Sequence, residues 1–246
     1  MSIVIPTYNE SKNLPELITS LENILLERPH RIIIVDDNSP DGTARIAREM
    51  GQKSDNIIVK ERLGKNGIGS AIRDGMGVAI SIPECCTVIT MDADLSHNPQ
   101  EIIPLLKESE HADLVLASRY ISGGQMIGWP FLRRVISRVA NGICYLFLRT
   151  GVHENTSYFR AHSRRLAELI VRESNLGGFE FGINAILLAK DHNFVLREIA
   201  SVFVERAQGK SKLRASDIVQ WFVAISGIWF RRLLDTPALV KKEKRA

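Results

Sequence analysis

The sequence predicts an α/β fold with a Rossmann-like, mostly parallel sheet flanked by helices. Three observations lead to this prediction. Short apolar runs alternate with helical patterns through the first half of the chain, acidic residues follow three of these runs, and the character becomes basic and aromatic after Arg119. Such alternation is typical of right-handed βαβ units and a parallel sheet. The 246 residues, 45% of them hydrophobic, suffice for one large core.

The apolar runs of the first half are the predicted strands, because each is short and rich in Val, Ile or Leu. Between them, apolar residues recur at helical spacing, as in Leu14, Leu17, Ile18 and Leu21. A loop broken by glycines at 64–69 precedes the third helix. The predicted strands are 3–6, 31–35, 56–59, 87–91 and 113–117, and the predicted helices are 14–27, one from Thr43, one ending near Ala79 and one at 99–107.

The second half predicts a loop at 123–125, strand-like runs at 194–199 and 201–204, and two amphipathic helices. The helix at 131–148 has an apolar face and a basic start, whereas the helix at 218–233 carries Trp and Phe on one side. A helix that spans a bilayer needs about 20 apolar residues, and the last helix falls short of that. It is therefore interpreted as a C-terminal amphipathic interface helix, with packing on the protein's own core as the alternative.

The positive charge is concentrated at the C-terminal end. The formal net charge is +4, and residues 197–246 hold 11 of the 32 Lys and Arg but 5 of the 28 Asp and Glu. This asymmetry favours phosphate groups or an anionic membrane surface as partners, and no nucleic acid is expected. Cys85, Cys86 and Cys144 form neither a disulfide framework nor a metal-ligand spacing, which favours a reducing cytoplasm. The chain begins with a strand-like run and not with a signal-peptide pattern.

Acidic residues stand at the carboxyl ends of three predicted strands. Glu10 follows the first strand, Asp36 and Asp37 the second, and Asp92 and Asp94 the fourth. Open parallel sheets bind ligands at this edge, so the three strand ends predict a site for a ribose, a base and a metal ion. Two carboxylates at i and i+2 suit Mg²⁺ or Mn²⁺ that is shared with substrate phosphates. An isolated Asp-x-Asp also occurs in ordinary surface loops, so the other two strand ends carry much of this prediction.

These residues resemble those of GT-A glycosyltransferases of family 2, and among them the dolichyl-phosphate (polyprenyl-phosphate) mannosyltransferases. The resemblance runs from Ile3 to about Phe222. The first half alone resembles family 2 in general, whereas the second half points to polyprenyl phosphate as acceptor. The matching stretches are 6–10, 36–37, 39–43, 67–71, 91–97, 118–120, 128–129, Arg133, Ser137, Thr156, 159–160 and 206–213.

The resemblance implies transfer of a glycosyl group, with inversion, from a nucleotide-diphosphate sugar to the phosphate of a dolichyl or polyprenyl lipid. It implies mannose from GDP-mannose as the transferred sugar, Mg²⁺ or Mn²⁺ as cofactor, and Asp94, Arg119 and Arg206 as catalytic residues. The implied donor-binding residues are Pro6, Tyr8, Glu10, Val35, Asp37, Asp92, Ala93 and Asp94, the metal residues are Asp92, Asp94 and Ser96, and the acceptor-phosphate residues are Arg119, Arg133, Ser137, Arg206 and Lys212.

The acceptor chemistry agrees with an arginine-rich site. A phosphate monoester has a second pKa near ~6, so it is already an anion at pH 7 and needs no strong general base. The planar guanidinium of arginine can bond two phosphate oxygens at once. His97 follows the acidic triplet and is a candidate contact for phosphate or acceptor.

Three positions depart from the family pattern. Glu154 stands where an Asp is expected two residues before Thr156, and Gly182 and Asn184 stand where Gln and Glu are usual. The sugar therefore stays open between mannose and a glucose or N-acetylglucosamine from a UDP-sugar, and weakened activity is a further interpretation. A soluble saccharide as acceptor and a non-catalytic nucleotide-sugar-binding subunit are the alternative functions.

The expected organisation is a glycosyltransferase domain at 1–214, followed by an amphipathic membrane-interface helix at 215–236 and a basic tail at 237–246. Within the domain, 1–118 is the nucleotide-sugar and metal half and 119–214 is the acceptor half. We expect a cytoplasmic protein that is peripherally associated with the cytoplasmic face of a membrane, and a small membrane-spanning subunit is a candidate partner.

Overall fold

The computed structural model describes residues 1–174, 176–205 and 215–235. The strands are β1 (Ser2–Thr7), β2 (Arg31–Asp36), β3 (Ile57–Glu61), β4 (Thr87–Thr90), β5 (Leu114–Ser118), β6 (Gln125–Ile127), β7 (Arg160–Ser163), β8 (Leu196–Ala200) and β9 (Val202–Val204). The α-helices are α1 (Leu14–Ile24), α2 (Thr43–Gly51), α3 (Ile68–Ile80), α4 (Ile102–Glu108), α5 (Phe131–Phe147), α6 (Arg164–Glu173), α7 (Phe181–Asp191) and α8 (Ala215–Asp235).

The central sheet has seven strands in the order β3-β2-β1-β4-β7-β5-β8. The strands pair in parallel except at β7, which runs antiparallel to both of its neighbours, β4 and β5. Strands β6 and β9 form a separate parallel pair. The prediction of a mostly parallel sheet flanked by helices is therefore confirmed.

Successive residues of each central strand contribute to opposite faces of the sheet. Ile3 and Ile5 of β1 join one core cluster with Leu17 of α1, whereas Val4 joins a second cluster with Met76 of α3. Strands that are buried on both faces read as continuous apolar runs, which is why the sequence revealed them.

A smaller third cluster joins α8 to the rest of the molecule. Ile225 and Ile228 of α8 pack with Cys144 of α5 and with Ile183 and Leu187 of α7. The outer side of α8 stays exposed. This helix is therefore anchored on the protein's own core and still presents apolar residues to its surroundings. The exposed apolar residues of α8 are Phe222, Val223, Trp229, Phe230, Leu233 and Leu234.

In the parts of the chain with described positions, no helix has the length and apolar character that crossing a membrane requires.

The sequence prediction missed β6, β7, α6 and α7. The last residue of the loop expected at 123–125, Gln125, is the first residue of β6. Strand β7 carries Arg160 and His162 where a strand would show apolar alternation. The helix expected at 99–107 begins as a 3₁₀ turn at Pro99–Glu101 before α4. The predicted residues Arg206 and Lys212 and the tail at 237–246 lie outside the described residues.

Helix α3 approaches the sheet through Gly75. A Cβ at this position would lie 2.3 Å from Val4 Cγ1 and 3.0 Å from Val35 Cγ2. We expect Gly75→Ala to lower the free energy of unfolding by about 1–3 kcal/mol, because overpacking forces these side chains apart. Urea unfolding followed by circular dichroism measures the change.

Gly77 provides the matched control in the same helix, because a Cβ there meets no atom within 4 Å in the described structure. Gly77→Ala should raise the stability by up to about 1 kcal/mol through helix propensity. Equal effects of the two substitutions would contradict the close contact of α3 with β1.

Candidate active site

The three acidic strand ends meet at one edge of the sheet. Strands β2, β1 and β4 are neighbours and run in the same direction, so their carboxyl ends lie side by side. Glu10 follows β1, Asp36 closes β2, and the triplet 92–94 comes just after β4. This is the edge at which open α/β sheets bind ligands.

The two aspartates after β2 have different partners. Asp36 is fully buried and accepts hydrogen bonds from Thr7 Oγ1 at 2.8 Å, Ser39 N at 2.8 Å and Ser39 Oγ at 2.6 Å, so it ties the ends of β1 and β2 together. Asp37 accepts from Arg62 Nη1 at 2.6 Å. Burial raises the pKa of Asp37, although the nearby Arg62 guanidinium opposes this shift.

Arg62 is a site residue that sequence reasoning missed. It follows β3, and it also contacts Asp74 of α3 and donates to Ser70 Oγ at 2.6 Å. Because β3 is the neighbour of β2 in the sheet, a basic residue after β3 falls at the same edge as the acidic strand ends. The position of Arg62 three residues after the predicted strand 56–59 was the signal that could have identified it.

The loop after β1 is held by polar contacts. Asn9 has a positive φ of 56°, the Glu10 amide donates to Thr43 Oγ1 at 2.9 Å, and the Glu10 carboxylate accepts from Asn13 Nδ2 at 2.8 Å. Lys65 Nζ lies 4.4 Å from the centre of the Tyr8 ring. Among the other predicted donor-binding residues, Val35 is fully buried and Pro6 is half-buried.

The acidic triplet is shaped by the residues that follow it. Leu95 has a positive φ of 61°, and the chain turns so that Ser96 donates to Asp94 Oδ1 from its amide at 3.1 Å and from its hydroxyl at 2.5 Å. Asp94 is buried, as is Ala93, whereas the Asp92 side chain is 26% exposed. One carboxylate of the pair is thus buried in the protein and the other is partly exposed.

His97 supports this loop from within. Its ring is buried, stacks on Phe159 at 5.0 Å, and accepts a hydrogen bond at Nδ1 from the Asp92 amide at 3.1 Å. Burial lowers the pKa of His97 to about 4, so the ring is neutral at pH 7 with its proton on Nε2. His97 thus holds the triplet from within, and its expected contact with phosphate or acceptor stays a prediction.

The donor atoms of the triplet fit a hard divalent cation. In the described ranges, no group of three or more His, Cys, Asp or Glu is arranged as a complete metal site. Two carboxylates and the Ser96 hydroxyl provide oxygen ligands close together in sequence and space. Mg²⁺ is commonly held by one or two carboxylates together with substrate phosphates, so an incomplete set of protein oxygens matches that mode of binding.

A buried ion pair lies at the end of β5. Arg119 Nε and Nη2 each lie 2.7 Å from one oxygen of the Glu154 carboxylate, and Nη2 also donates to Thr156 Oγ1 at 2.9 Å. Glu154 accepts further bonds from the amides of Thr156 and Ser157. Burial alone would raise the pKa of Glu154, but Arg119 and these hydrogen bonds hold it below its ordinary value. Both groups are therefore charged.

This pair explains one departure from the family pattern. Glu154 provides the carboxylate that binds Arg119, so the loop keeps an acidic residue at this position. Gly182 accepts through its carbonyl from Arg160 Nη1 at 2.5 Å. Asn184 Oδ1 is buried without a partner among the described residues and borders a cavity of about 270 Å³ between α7 and α8.

The other predicted acceptor residues lie at the start of α5. Arg133 forms an ion pair with Glu205 at 2.6 Å, and Ser137 Oγ lies 2.6 Å from the Tyr120 hydroxyl. The Arg133 guanidinium lies over the Trp129 ring, with 3.9 Å between its Cζ and the ring centre. Arg119 Cζ lies 5.1 Å from the same ring, so Trp129 brings both arginines together.

Comparisons with known proteins show which family the chain matches. Residues 2–170 match the family described as Glycosyl transferase family 2. The chain is 35% identical to polyprenol monophosphomannose synthase of Mycolicibacterium smegmatis, over 95% of this chain and 88% of that protein. It is 33% identical to dolichol-phosphate mannosyltransferase of Pyrococcus furiosus over 90% of this chain, and spans 61% of the length of that relative.

Solved structures support the fold. Glucosyl-3-phosphoglycerate synthase from Mycobacterium tuberculosis, in complex with Mn²⁺, UDP and phosphoglyceric acid, superposes with a TM-score of 0.64. The match covers 95% of this chain and 76% of that one at 19% identity. At this identity the likeness concerns the fold, and it agrees with the predicted GT-A architecture.

Removing the charge of Glu154 tests the buried pair. We expect Glu154→Gln to lower the free energy of unfolding by about 3–5 kcal/mol, because it leaves the Arg119 cation buried without its counter-ion. Urea unfolding at pH 7 measures this loss.

Glu205→Gln is the matched control, because the Arg133–Glu205 pair is partly exposed and of similar length. Its loss should cost about 1 kcal/mol or less. A similar small cost for both substitutions would show that the buried pair contributes no more than a surface pair.

Proposed function

Because the chain belongs to glycosyl transferase family 2, we propose that this glycosyltransferase transfers mannose from GDP-mannose, with inversion, to a dolichyl or polyprenyl phosphate. One observation carries the choice of acceptor. The arginines that can bind a phosphate, Arg119 and Arg133, both lie against the Trp129 ring, and Arg133 belongs to the exposed apolar start of α5. A lipid phosphate combines an anionic head, which arginines bind, with an apolar chain, which suits an exposed apolar surface. The names of the two curated relatives support this choice.

In this proposal the donor binds at the carboxyl ends of β1, β2 and β4. The Tyr8 ring provides an apolar contact for a nucleotide diphosphate, and the neighbouring Lys65 a basic one. Asp37 provides an acidic contact and Arg62 a second basic one. The proposed donor-binding residues are Pro6, Tyr8, Glu10, Val35, Asp37, Asp92, Ala93 and Asp94.

Asp92, Asp94 and Ser96 are proposed to hold Mg²⁺ or Mn²⁺ together with the diphosphate. A bound divalent cation would neutralise negative charge on the leaving diphosphate. The protein's own contribution is to fix the Asp94 carboxylate through the two hydrogen bonds from Ser96. The buried, neutral His97 fixes the Asp92 backbone without adding a positive charge that would compete for these carboxylates.

The acceptor phosphate is proposed to bind Arg119, Arg133 and Ser137, with Arg206 and Lys212 beyond the described residues. The bonds to Glu154 and Thr156 engage Arg119 Nε and Nη2, and Nη1 makes no hydrogen bond with a described residue. Glu154 therefore fixes the guanidinium plane and leaves one amino group for substrate. The proposed catalytic residues are therefore Arg119, Asp94 and Arg206.

The proposed reaction is a direct displacement. An anionic oxygen of the acceptor phosphate attacks the anomeric carbon, a new carbon–oxygen bond forms, and the bond from that carbon to the diphosphate oxygen breaks. The nucleoside diphosphate leaves with the electron pair from the opposite face, which inverts the centre. The reacting carbon passes through an oxocarbenium-like state, and an acceptor ionised at pH 7 needs no general base.

Helices α5 and α8 are proposed to dock on the cytoplasmic face of a membrane. Phe131 and Leu132 of α5 are exposed beside the exposed cation of Arg134, and Phe147 of α5 contacts Trp229 of α8 with 6.3 Å between ring centres. Exposed aromatic and aliphatic groups next to arginines suit an interface with anionic lipids. A small membrane-spanning subunit is a further proposed partner.

Transfer is tested with radiolabelled GDP-mannose, polyprenyl phosphate and Mg²⁺, with extraction of the lipid product. We expect product with the wild-type protein, loss of product in EDTA, and recovery with Mg²⁺ or Mn²⁺. Asp94→Asn should reduce turnover about 100-fold or more, because it removes charge at the diphosphate.

Asp55→Asn is the control, since this exposed carboxylate precedes β3 and lies at the opposite edge of the sheet. A parallel panel with UDP-glucose and UDP-N-acetylglucosamine tests the sugar. If product forms only with a UDP-sugar, the proposed donor changes from GDP-mannose to that UDP-sugar. If the product is a soluble glycan, the proposed acceptor changes from a lipid phosphate to a soluble saccharide. Donor binding without any turnover would favour the non-catalytic subunit.

Docking is tested by flotation with vesicles of equal parts phosphatidylcholine and phosphatidylglycerol. The double variant Phe131→Ser, Phe230→Ser should lose most of the bound fraction, because each phenylalanine contributes about 1.5–3 kcal/mol when its side chain is buried.

Leu26→Ser is the matched control for flotation. Leu26 is 82% exposed, close to the 80% of Phe131, but it follows α1 and lies near the amino ends of the strands. Equal binding of the double variant and the wild-type protein would remove these two helices from the membrane proposal.

A further inference from the structure

Trp129 has a buried donor without an acceptor. The residue is 5% exposed, and its indole Nε1 makes no hydrogen bond with any described part of the chain. Buried indole N–H groups are normally paired, because an unmade bond costs about 1–3 kcal/mol. The backbone carbonyl of the same residue is satisfied by Arg134 Nε at 2.9 Å. The unpaired side-chain donor therefore points to a ligand.

The surroundings of Trp129 indicate that this ligand is an anion. Arg133 Cζ lies 3.9 Å from its ring centre and Arg119 Cζ lies 5.1 Å away. Both guanidinium groups already have a glutamate partner, Glu154 or Glu205. An additional anion would then be recognised by hydrogen-bond donors that take no part in these two ion pairs. Trp129 Nε1 is such a donor.

Trp129 is connected to the acidic triplet through ring contacts and to the start of α5 through the chain. A chain of ring contacts runs from His97, behind the acidic triplet, to Phe203 at 5.4 Å and on to Trp129 at 5.1 Å. Two residues later the exposed Phe131 begins α5. A molecule with a phosphate head at Trp129 would therefore have an apolar surface for its hydrocarbon chain within reach.

We infer that the Trp129 indole N–H donates a hydrogen bond to an oxygen of the acceptor phosphate, while the Trp129 ring holds the Arg119 and Arg133 guanidinium groups in place. This inference rests on the proposed lipid-phosphate acceptor. It adds to that proposal a neutral hydrogen-bond donor for the acceptor phosphate.

Kinetics with Trp129→Phe test the donor. Phenylalanine keeps an aromatic face for the arginines but lacks the N–H. We expect the KM for polyprenyl phosphate to rise about tenfold to hundredfold, as for loss of a hydrogen bond to a charged group, with the KM for GDP-mannose changed less than about twofold. Tyr145→Phe, which removes a hydroxyl from helix α5, is the control.

A direct readout uses the full-length protein labelled with ¹⁵N at its three tryptophans. Trp221→Phe and Trp229→Phe assign the indole signals by elimination, so the Trp129 signal is identified even if Trp129→Phe fails to fold. Geranyl phosphate should move the Trp129 indole proton downfield, whereas geraniol should leave it unchanged.

The outcomes separate the inference from the proposed function. A Trp129 signal that ignores geranyl phosphate, or that responds only to GDP with Mg²⁺, overturns the inference while lipid mannosylation by the wild-type protein still stands. Absence of any lipid-linked product from the wild-type protein overturns the proposed function, whether or not the indole signal responds to phosphate. An unchanged acceptor KM in a folded Trp129→Phe variant also overturns the inference.

Discussion

The buried ion pair between Arg119 and Glu154 is the interaction on which the arrangement of the site depends. Taking two charges out of water is costly, and it succeeds only when geometry and further hydrogen bonds compensate. Here both carboxylate oxygens bind the guanidinium, and Thr156 and Ser157 donate to the same carboxylate. The pair ties the end of β5 to the loop before β7. It thereby positions a phosphate-binding cation relative to the metal-binding triplet after β4.

The site has two electrostatic regions that meet at a neutral partition. Acidic groups lie at the ends of β1, β2 and β4, and cations lie near the start of α5. The partition consists of the His97 ring together with Phe159 and Phe203, each of which contacts that ring. Because His97 is uncharged at pH 7, this partition neither attracts the carboxylates nor repels the arginines. A nucleotide with its cation and an anionic lipid can then bind on either side without sharing the same charges.

The sequence predicted those parts of the molecule that are encoded locally. The buried strands and the acidic residues after them follow from apolar runs and from the geometry of parallel sheets. Strand β7 was missed because Arg160 and His162 hide the strand pattern, and their burial depends on partners far away in sequence. The Arg62–Asp37 and Arg119–Glu154 pairs were missed for a similar reason, since their partners lie far apart in sequence. The separation is 25 residues in the first pair and 35 in the second. Helices α5 and α8 were predicted to be amphipathic. Which of their apolar residues pack and which stay exposed became clear only from the third core cluster in the structure.

The antiparallel insertion of β7 also governs the order in which the sheet can be completed during synthesis. Strands β3, β2, β1 and β4 are contiguous in the sheet and are all made within the first 90 residues. β5 is made next, but its neighbours β7 and β8 begin only at Arg160 and Leu196. A nascent chain that ends before them therefore carries an apolar strand with both edges unpaired, the condition that invites aggregation. The short polar strand β7 pairs with β4 on one side and β5 on the other, and so joins two parts of the sheet that are synthesised at different times.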